Sequence, residues 1–550
     1  MSQLLAHLVV VPIVLPLVTA ALHLLLGEQR KRLKSLVNVG STAVGLLVAV
    51  QILLGVHGDG GAGVIDVYLA SNWQAPFGIV LVADRLSALL LVLVGVVSLC
   101  VALYAEAAWA RVGVYFHALF QIQLMGLNGA FLTGDFFNLF VFFEVMLAAS
   151  YGLQLHGSGW PRVRSGLHYI AVNLLASSLF LIGLALLYGV MGTLSMADIA
   201  VKIAVVPGRD RGLLHAGMAI LSLAFLIKAA IWPLNAWLVP TYTAASAPIA
   251  GLFALMTKVG VYTLVRSWTL IFSADAGPSA YFGRPVLLYG GLATLAFGTL
   301  GLMASMRLGR IASFAIIVSS GTLLAALGMG LASVTSAALY YLLSATIGVS
   351  ALFLLIELIE RVGSAAERRL TDADLEPGED TNLDDEEMPL VGRAVPVSVA
   401  LLGLAFMACA LVVAGLPPLS GFLAKVMLLS AVLGADSGGG APSAPGWWLF
   451  GLLLISGLVA TIALSRAGVR HLWRTAALLQ SPRLKVVEGA SILVLIAACV
   501  LLTVFAEPVL RYTKAAAAAL HSPGAYIAAV SSQKARLGPT QTSVEQGRSP

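Results

Sequence analysis

The chain has 550 residues, of which 59% are hydrophobic and only 11% charged, with a formal net charge of +6; soluble domains carry about 25% charged residues. With a mean hydropathy of +0.95, this composition excludes a soluble enzyme, a disulfide scaffold and a nucleic-acid-binding protein. The basic excess reads as a membrane topology signal rather than affinity for nucleic acid, which is not an expected partner.

In chain order, apolar runs of spanning length fall near 4–26, 36–56, 86–109, 113–133, 136–155, 167–191, 213–240, 246–272, 285–305, 311–332, 335–360, 395–432, 447–465 and 487–510. They are continuous, unlike the alternating segments of about ten residues that build a membrane β-barrel. The expected fold is therefore an all-α polytopic membrane protein of about 14 transmembrane helices. The first run is followed by Arg30, Lys31, Arg32 and Lys34 and preceded by no basic residue, so it reads as a retained span. With the N-terminus outside, inside loops hold eighteen Lys and Arg and outside loops eight. This bias places both termini outside, with lipid as a partner.

The chain divides into three N-terminal spans (1–110), two five-span blocks (111–275 and 283–475), a last span (487–512) and a disordered tail (513–550). The second block contains an inside loop, 362–394, with ten acidic residues that reads as solvated chain. An odd number of spans per block reverses orientation, so the blocks are candidates for an inverted repeat. Cys100, Cys409 and Cys499 lie inside apolar runs with no CxxC pair. No iron–sulfur, zinc or haem ligand set is present in the sequence, and no metal or other cofactor is expected.

Three lysines lie within spans: Lys228, Lys258 and Lys425. A lysine at a helix centre costs about 2.5–3.5 kcal/mol on insertion scales, so it needs a partner or a hydrated cavity. Glu144, the only carboxylate in its span, is the natural partner for Lys228. Two lysine-bearing spans also contain helix breakers: Pro233 follows Lys228, and Pro417 and Pro418 precede Lys425. Broken helices beside ionisable groups are the usual pointer to an ion site in a transporter. His117 and His168, near inside span ends, read either as proton entry groups or as interfacial residues. Asp84 and Asp135, at outside ends, read as caps.

The stretches NGAFLTGDFFNLFVFFEVMLAASYGL (128–153), IKAAIWPLNAWLVPTYTAASAPIAGLFALMTKVGVYTLVR (227–266) and GLPPLSGFLAKVMLL (415–429) resemble the D subunits of the multisubunit monovalent cation/proton antiporters of Mrp or Pha type. These are similar to the antiporter-like membrane subunits of respiratory complex I. The resemblance implies broken seventh and twelfth spans, other subunits of a hetero-oligomeric antiporter as partners, and proton transfer through Glu144, Lys228, Lys258 and Lys425. Proton entry would be coupled to Na+ or K+ efflux. It also implies a histidine in the eleventh span, where this chain has Ser344. A serine holds water but carries no proton near neutral pH, so water held by Ser344, Ser319 and Ser320 is one candidate route there, another group is a second, and a weakened second half is the third reading. A proton-pumping membrane subunit of a complex I-like or hydrogenase-like oxidoreductase is the alternative function. A non-transporting scaffold would instead tolerate neutral substitution of Lys228 and Glu144.

Overall fold

A computed structural model of the chain describes residues 7–27, 30–57, 64–107, 109, 115–157, 159–373, 396–434, 443–473 and 485–533. The fourteen apolar runs each form a helix or a broken pair of helices. The first five spans are α1 (Val11–Leu25), α2 (Lys31–His57), α3 (Arg85–Ala107), α4 (Phe116–Leu132) and α5 (Phe136–Gln154). After α6 (Trp160–Met191) and the short α7 (Met196–Lys202), one run splits into α8 (Gly208–Lys228) and α9 (Leu238–Ala244). Then come α10 (Ala247–Leu270), α11 (Arg284–Ala304), α12 (Leu308–Met329) and α13 (Ala332–Ala373). A second run splits into α14 (Val397–Ala414) and α15 (Ser420–Val432), followed by α16 (Ala444–Gly468) and α17 (Val486–Val504). Among the described residues, thirteen helices are long and apolar enough to cross a membrane, and α15 is a shorter apolar one; α4, of 17 residues, is not among them.

Every residue of α10 is buried, which makes it the central helix. Helices α3, α12 and α13 pack around it, while α1, α2 and α17 turn leucines outward at the periphery. An antiparallel hairpin of β1 (Asp66–Leu69) and β2 (Val80–Ala83) lies between α2 and α3, where the sequence suggested only a loop.

Three boundaries differ from the sequence reading. The acidic segment assigned to a loop over 362–394 begins inside α13, which continues to Ala373; residues 374–395 lie outside the described residues. The last span assigned to 487–512 ends at Val504, where Phe505 breaks it. The tail assigned as disordered from 513 is helical through 532, in α18 (Ala506–His521) and α19 (Gly524–Ser532); residues 534–550 lie outside the described residues. The physical reason is the alanine run: alanine is the best helix former, and Ala516, Ala517 and Leu520 bury their small face together with Tyr512 and Thr513. Thr513 and Ser336 of α13 are 3.2 Å apart, and the Tyr512 hydroxyl donates to the Arg85 carbonyl at 2.9 Å.

Tyr526 of α19 completes this lock. Its ring stacks on the Arg266 guanidinium at 5.0 Å, and Arg266 makes two bonds to Asp84, of 2.8 and 2.7 Å. Asp84 also caps α3 by accepting from the Ser87 amide at 2.9 Å, in agreement with its expected capping role. Burial pushes its carboxyl up, but Arg266 and Ser87 outweigh burial and hold it below the usual carboxylate range. Asp84→Asn leaves the Arg266 charge buried without a counter-charge and is expected to cost about 3–5 kcal/mol. It would be read as a lowered thermal midpoint with faster proteolysis in the 506–532 segment. Because the folded-state value is depressed, this stabilisation is full above the unfolded carboxylate value and is lost as pH falls through the depressed one. An unchanged midpoint in Asp84→Asn would contradict the assignment.

Candidate proton-transfer line

Glu144 lies on α5, whose start is fixed by Asp135: its carboxylate accepts from the Phe137 and Asn138 amides at 2.8 and 3.0 Å. Glu144 is half-buried and its Oε1 accepts a short hydrogen bond from the Ser177 hydroxyl of α6. Four residues earlier on α6, the Asn173 amide oxygen accepts from Lys228 Nζ at 2.9 Å. Residues i and i+4 of a helix share one face, so a single stripe of α6 holds the acid and the base. The direct ion pair expected from sequence is not formed: among the described residues no Glu144–Lys228 contact falls within 4.0 Å. Asn173 and Ser177, which the sequence reading passed over, stand between them. The signal that could have found them is two polar residues at i and i+4 in an otherwise apolar span whose leucines face outward.

Lys228 is the last residue of α8. A lone lysine there is tolerable because the helix C-terminus carries about −0.5 elementary charge. The Phe143 ring, 5.8 Å away, adds its face. Beyond Lys228 the backbone leaves the helix and passes Pro233 before α9 begins. Its freed groups are satisfied by side chains: the Trp232 amide donates to Thr294 Oγ1 at 2.8 Å, and Trp237 Nε1 donates to the Ile227 carbonyl at 3.2 Å. Gly260 of α10 packs on this break, since a Cβ there would lie 2.6 Å from the Ala229 nitrogen.

Two residues before Gly260, the buried Lys258 donates to Ser319 Oγ of α12 at 2.8 Å. The hydroxyl of its neighbour Ser320 is buried with no hydrogen-bond partner among the described residues. The Tyr341 hydroxyl of α13 lies against Ser319 and Thr322. Tyr341 also lines a cavity of about 20 Å³ together with Ser344, Ser456 and Lys425. That volume accommodates one water, and the polar lining can hold it. Ser344 itself is 2.8 Å from Ser420 Oγ at the start of α15. Sequence reasoning missed Tyr341, a tyrosine in an aromatic-rich apolar run.

Lys425 repeats the arrangement of Lys228 in another form. Its Nζ donates to the Ala414 carbonyl, the last of α14, at 2.8 Å. The break at Gly415, Pro417 and Pro418 opens that carbonyl to the lysine. Gly457 on α16 makes room, since a Cβ there would stand 3.2 Å from Nζ. Lys425 thus binds a helix C-terminus and Lys228 ends a helix, each without a carboxylate within ion-pair distance among the described residues. His168 stands apart: it is exposed in a cavity of about 860 Å³ lined also by Arg164, Arg307 and Arg310, and no described hydrogen bond joins it to the line.

The geometry generates one stability prediction. Asn173→Leu removes the acceptor from a lysine that is 6% exposed, at a cost of about 1–3 kcal/mol. A lowered thermal midpoint of the purified protein is expected; an unchanged midpoint would mean that Glu144 or water takes over the ammonium.

A sequence model of the family described as NADH:quinone oxidoreductase/Mrp antiporter, TM, matches residues 133–441. A protein of Rhizobium meliloti, named as the probable D subunit of a K+/H+ antiporter, is 48% identical over 95% of this chain and 97% of its own length. The Na+/H+ antiporter D subunit of Alkalihalophilus pseudofirmus is 35% identical over 77% of this chain and 80% of its own. Among solved structures, a chain of the Mrp complex from Dietzia sp. aligns with a TM-score of 0.79 at 27% identity, covering 96% of this chain and 99% of that one. A chain of respiratory complex I from Thermus thermophilus shares the fold, with a TM-score of 0.72 at 22% identity, covering 94% of this chain and 99% of that one. The chain is a multi-pass membrane protein and belongs to the NADH:quinone oxidoreductase/Mrp antiporter transmembrane family, among its antiporter D subunits.

Proposed function

We propose that this chain is the proton-translocating member of a multisubunit monovalent cation/proton antiporter in a bacterial cytoplasmic membrane, with both termini outside. The observation that carries the reading is the set of polar groups at membrane depth: Ser177 and Asn173 on one face of α6 hold Glu144 and Lys228, Ser319 accepts from Lys258, and Tyr341, Ser344 and Lys425 share a water-sized cavity.

The mechanism is an alternation of charge. Lys228 holds its proton while Glu144 is close and ionised, with Asn173 and the C-terminus of α8 as support. When the pair separates, a buried ammonium without its counter-charge loses its proton more readily, and the proton passes across the α8 break to Lys258. Ser319 receives the Lys258 ammonium, and Tyr341 with the water beside Ser344 connects it to Lys425. A phenol hydroxyl donates and accepts in turn, so Tyr341 orients the water beside Ser344 as a hydroxyl would and does not carry the proton as a histidine does. Each inward proton delivers about 2.3 kcal/mol per 100 mV, which drives Na+ or K+ outward. The cation path is assigned to partner subunits. The two five-span blocks, each broken in its fourth span, act as paired halves of the line. The 48% identical relative, with its antiporter name, favours this reading over a redox-driven complex.

The test expresses the whole complex in everted vesicles of an antiporter-deficient host and follows collapse of ΔpH on addition of Na+ or K+. Glu144→Gln and Lys228→Ala are each expected to assemble and to slow exchange by about a hundredfold or more. Exchange at the wild-type rate in both would make these residues structural and move transport to a partner chain.

A further inference from the structure

Helices α1 and α2 of the N-terminal unit and the adjoining α4 contain a second polar line that the Glu144–Lys425 axis does not use. Helix α2 buries Lys34, Asn38 and Thr42, one turn apart on a single face, and exposes Leu36, Leu47 and Leu54. The sequence reading placed Lys34 in an inside loop; it is instead a fourth buried lysine, 7% exposed. Helix α4 turns His117, Gln121 and Asn128 toward this face, and α1 turns Thr19 and His23.

These groups connect level by level. At the end read as inside, the His23 and His117 rings stack at 5.4 Å, and neither ring nitrogen of the buried His23 has a hydrogen-bond partner among the described residues. His117 Nδ1 lies 3.6 Å from Glu106 Oε1 of α3. Lys34 and His156 lie within electrostatic reach of the pair. Next, Gln121 Nε2 donates to Asn38 Oδ1 at 2.8 Å and to Thr42 Oγ1 at 3.1 Å, with Thr19 and Ser41 2.7 Å apart. A cavity of about 20 Å³ then joins Gln121, Thr42, Ser41 and Ser98 to Asn128. It holds one water by volume and has polar groups to bind it. At its far side Asn128 donates to the Pro12 carbonyl at 2.8 Å. That carbonyl is free because Pro16, four residues on, has no N–H to offer it. Above it His7, 3.4 Å from the Tyr68 hydroxyl, lines an outer cavity of about 430 Å³. From His7 to His23, α1 and the turn before it rise about 24 Å at 1.5 Å per residue, most of the hydrocarbon core of about 30 Å.

We propose that α1, α2 and α4 form a second proton-conducting line, loaded at the His23–His117 pair and continued by water held among Gln121, Asn38, Thr42 and Asn128. Two stacked imidazoles at this spacing repel when both are charged, so the pair holds one proton at a time. Glu106 draws that proton to His117 and Lys34 opposes a second. A ring that gains a proton on one nitrogen releases one from the other and is left in its other tautomer, so one proton leaves as one enters and a rotation of the ring resets the line for the next. The buried Lys34 ammonium repels alkali cations from the same mouth.

The test uses the whole complex in everted vesicles, with rate measured against cation concentration and pH for Thr42→Val, Gln121→Leu and His117→Gln. Thr42→Val is isosteric, so it reads the line even if a bulkier variant fails to assemble. The expected result is a fall in maximal exchange of about tenfold or more with the half-saturating cation concentration unchanged. His117→Gln is expected to flatten the pH profile over the histidine range of about pH 5–8. Assembled variants with wild-type rate and pH profile would overturn the proposal. A changed half-saturating concentration with an unchanged pH profile would also overturn it, by assigning the line to the alkali cation. Glu144→Gln, measured alongside, separates the two lines: impairment there alone supports only the first, and impairment of the N-terminal variants alone supports only the second.

Discussion

A positive charge at membrane depth must be held by something, and in this chain carboxylates do little of the holding. Lys228 is anchored by Asn173 and terminates α8; Lys425 reaches the last carbonyl of α14; Lys258 rests on a serine. A full ion pair in a low-dielectric interior would fix each proton in place, because separating the charges costs several kcal/mol. Neutral acceptors and half-charged helix ends hold a lysine more weakly and so leave its proton transferable. The broken helices follow from this constraint. Pro233 and the Gly415–Pro418 segment end helices in mid-membrane and so create the helix termini that the lysines need.

The opposite solution is used where nothing needs to move. Arg266 and Asp84 form a two-bond ion pair under the Tyr526 ring, and Arg361 joins Glu357 and Glu488 in the same way. Guanidinium does not deprotonate in proteins and binds carboxylate in a rigid fork. The molecule thus places arginine–carboxylate pairs at its locks and lysine–neutral contacts along its line.

Most of the fold was legible because hydropathy over twenty residues is a strong signal, and every apolar run became a helix or a broken pair. Lys228, Lys258, Lys425 and Glu144 stood out because ionisable groups in apolar runs are costly. The residues that stayed illegible carry no such cost. Asn173 and Ser177 are neutral and common, and Tyr341 looks like any aromatic in a core. Lys34 sits beside three basic loop residues, which hid its burial. The tail looked disordered from its polar end, yet its alanines and Tyr526 had a surface to bury against that only the fold provides. The expected Glu144–Lys228 contact failed for a related reason: the sequence shows charges but not the neutral residues of a third helix between them.

The central claim is that the buried lysines work by releasing protons and not merely by carrying charge. Lys228→Arg tests it most directly, because arginine keeps the charge and cannot release the proton. The account predicts that the assembled complex carrying Lys228→Arg shows no cation-driven collapse of ΔpH in everted vesicles. Exchange at the wild-type rate would show that Lys228 is a fixed charge and would contradict the account.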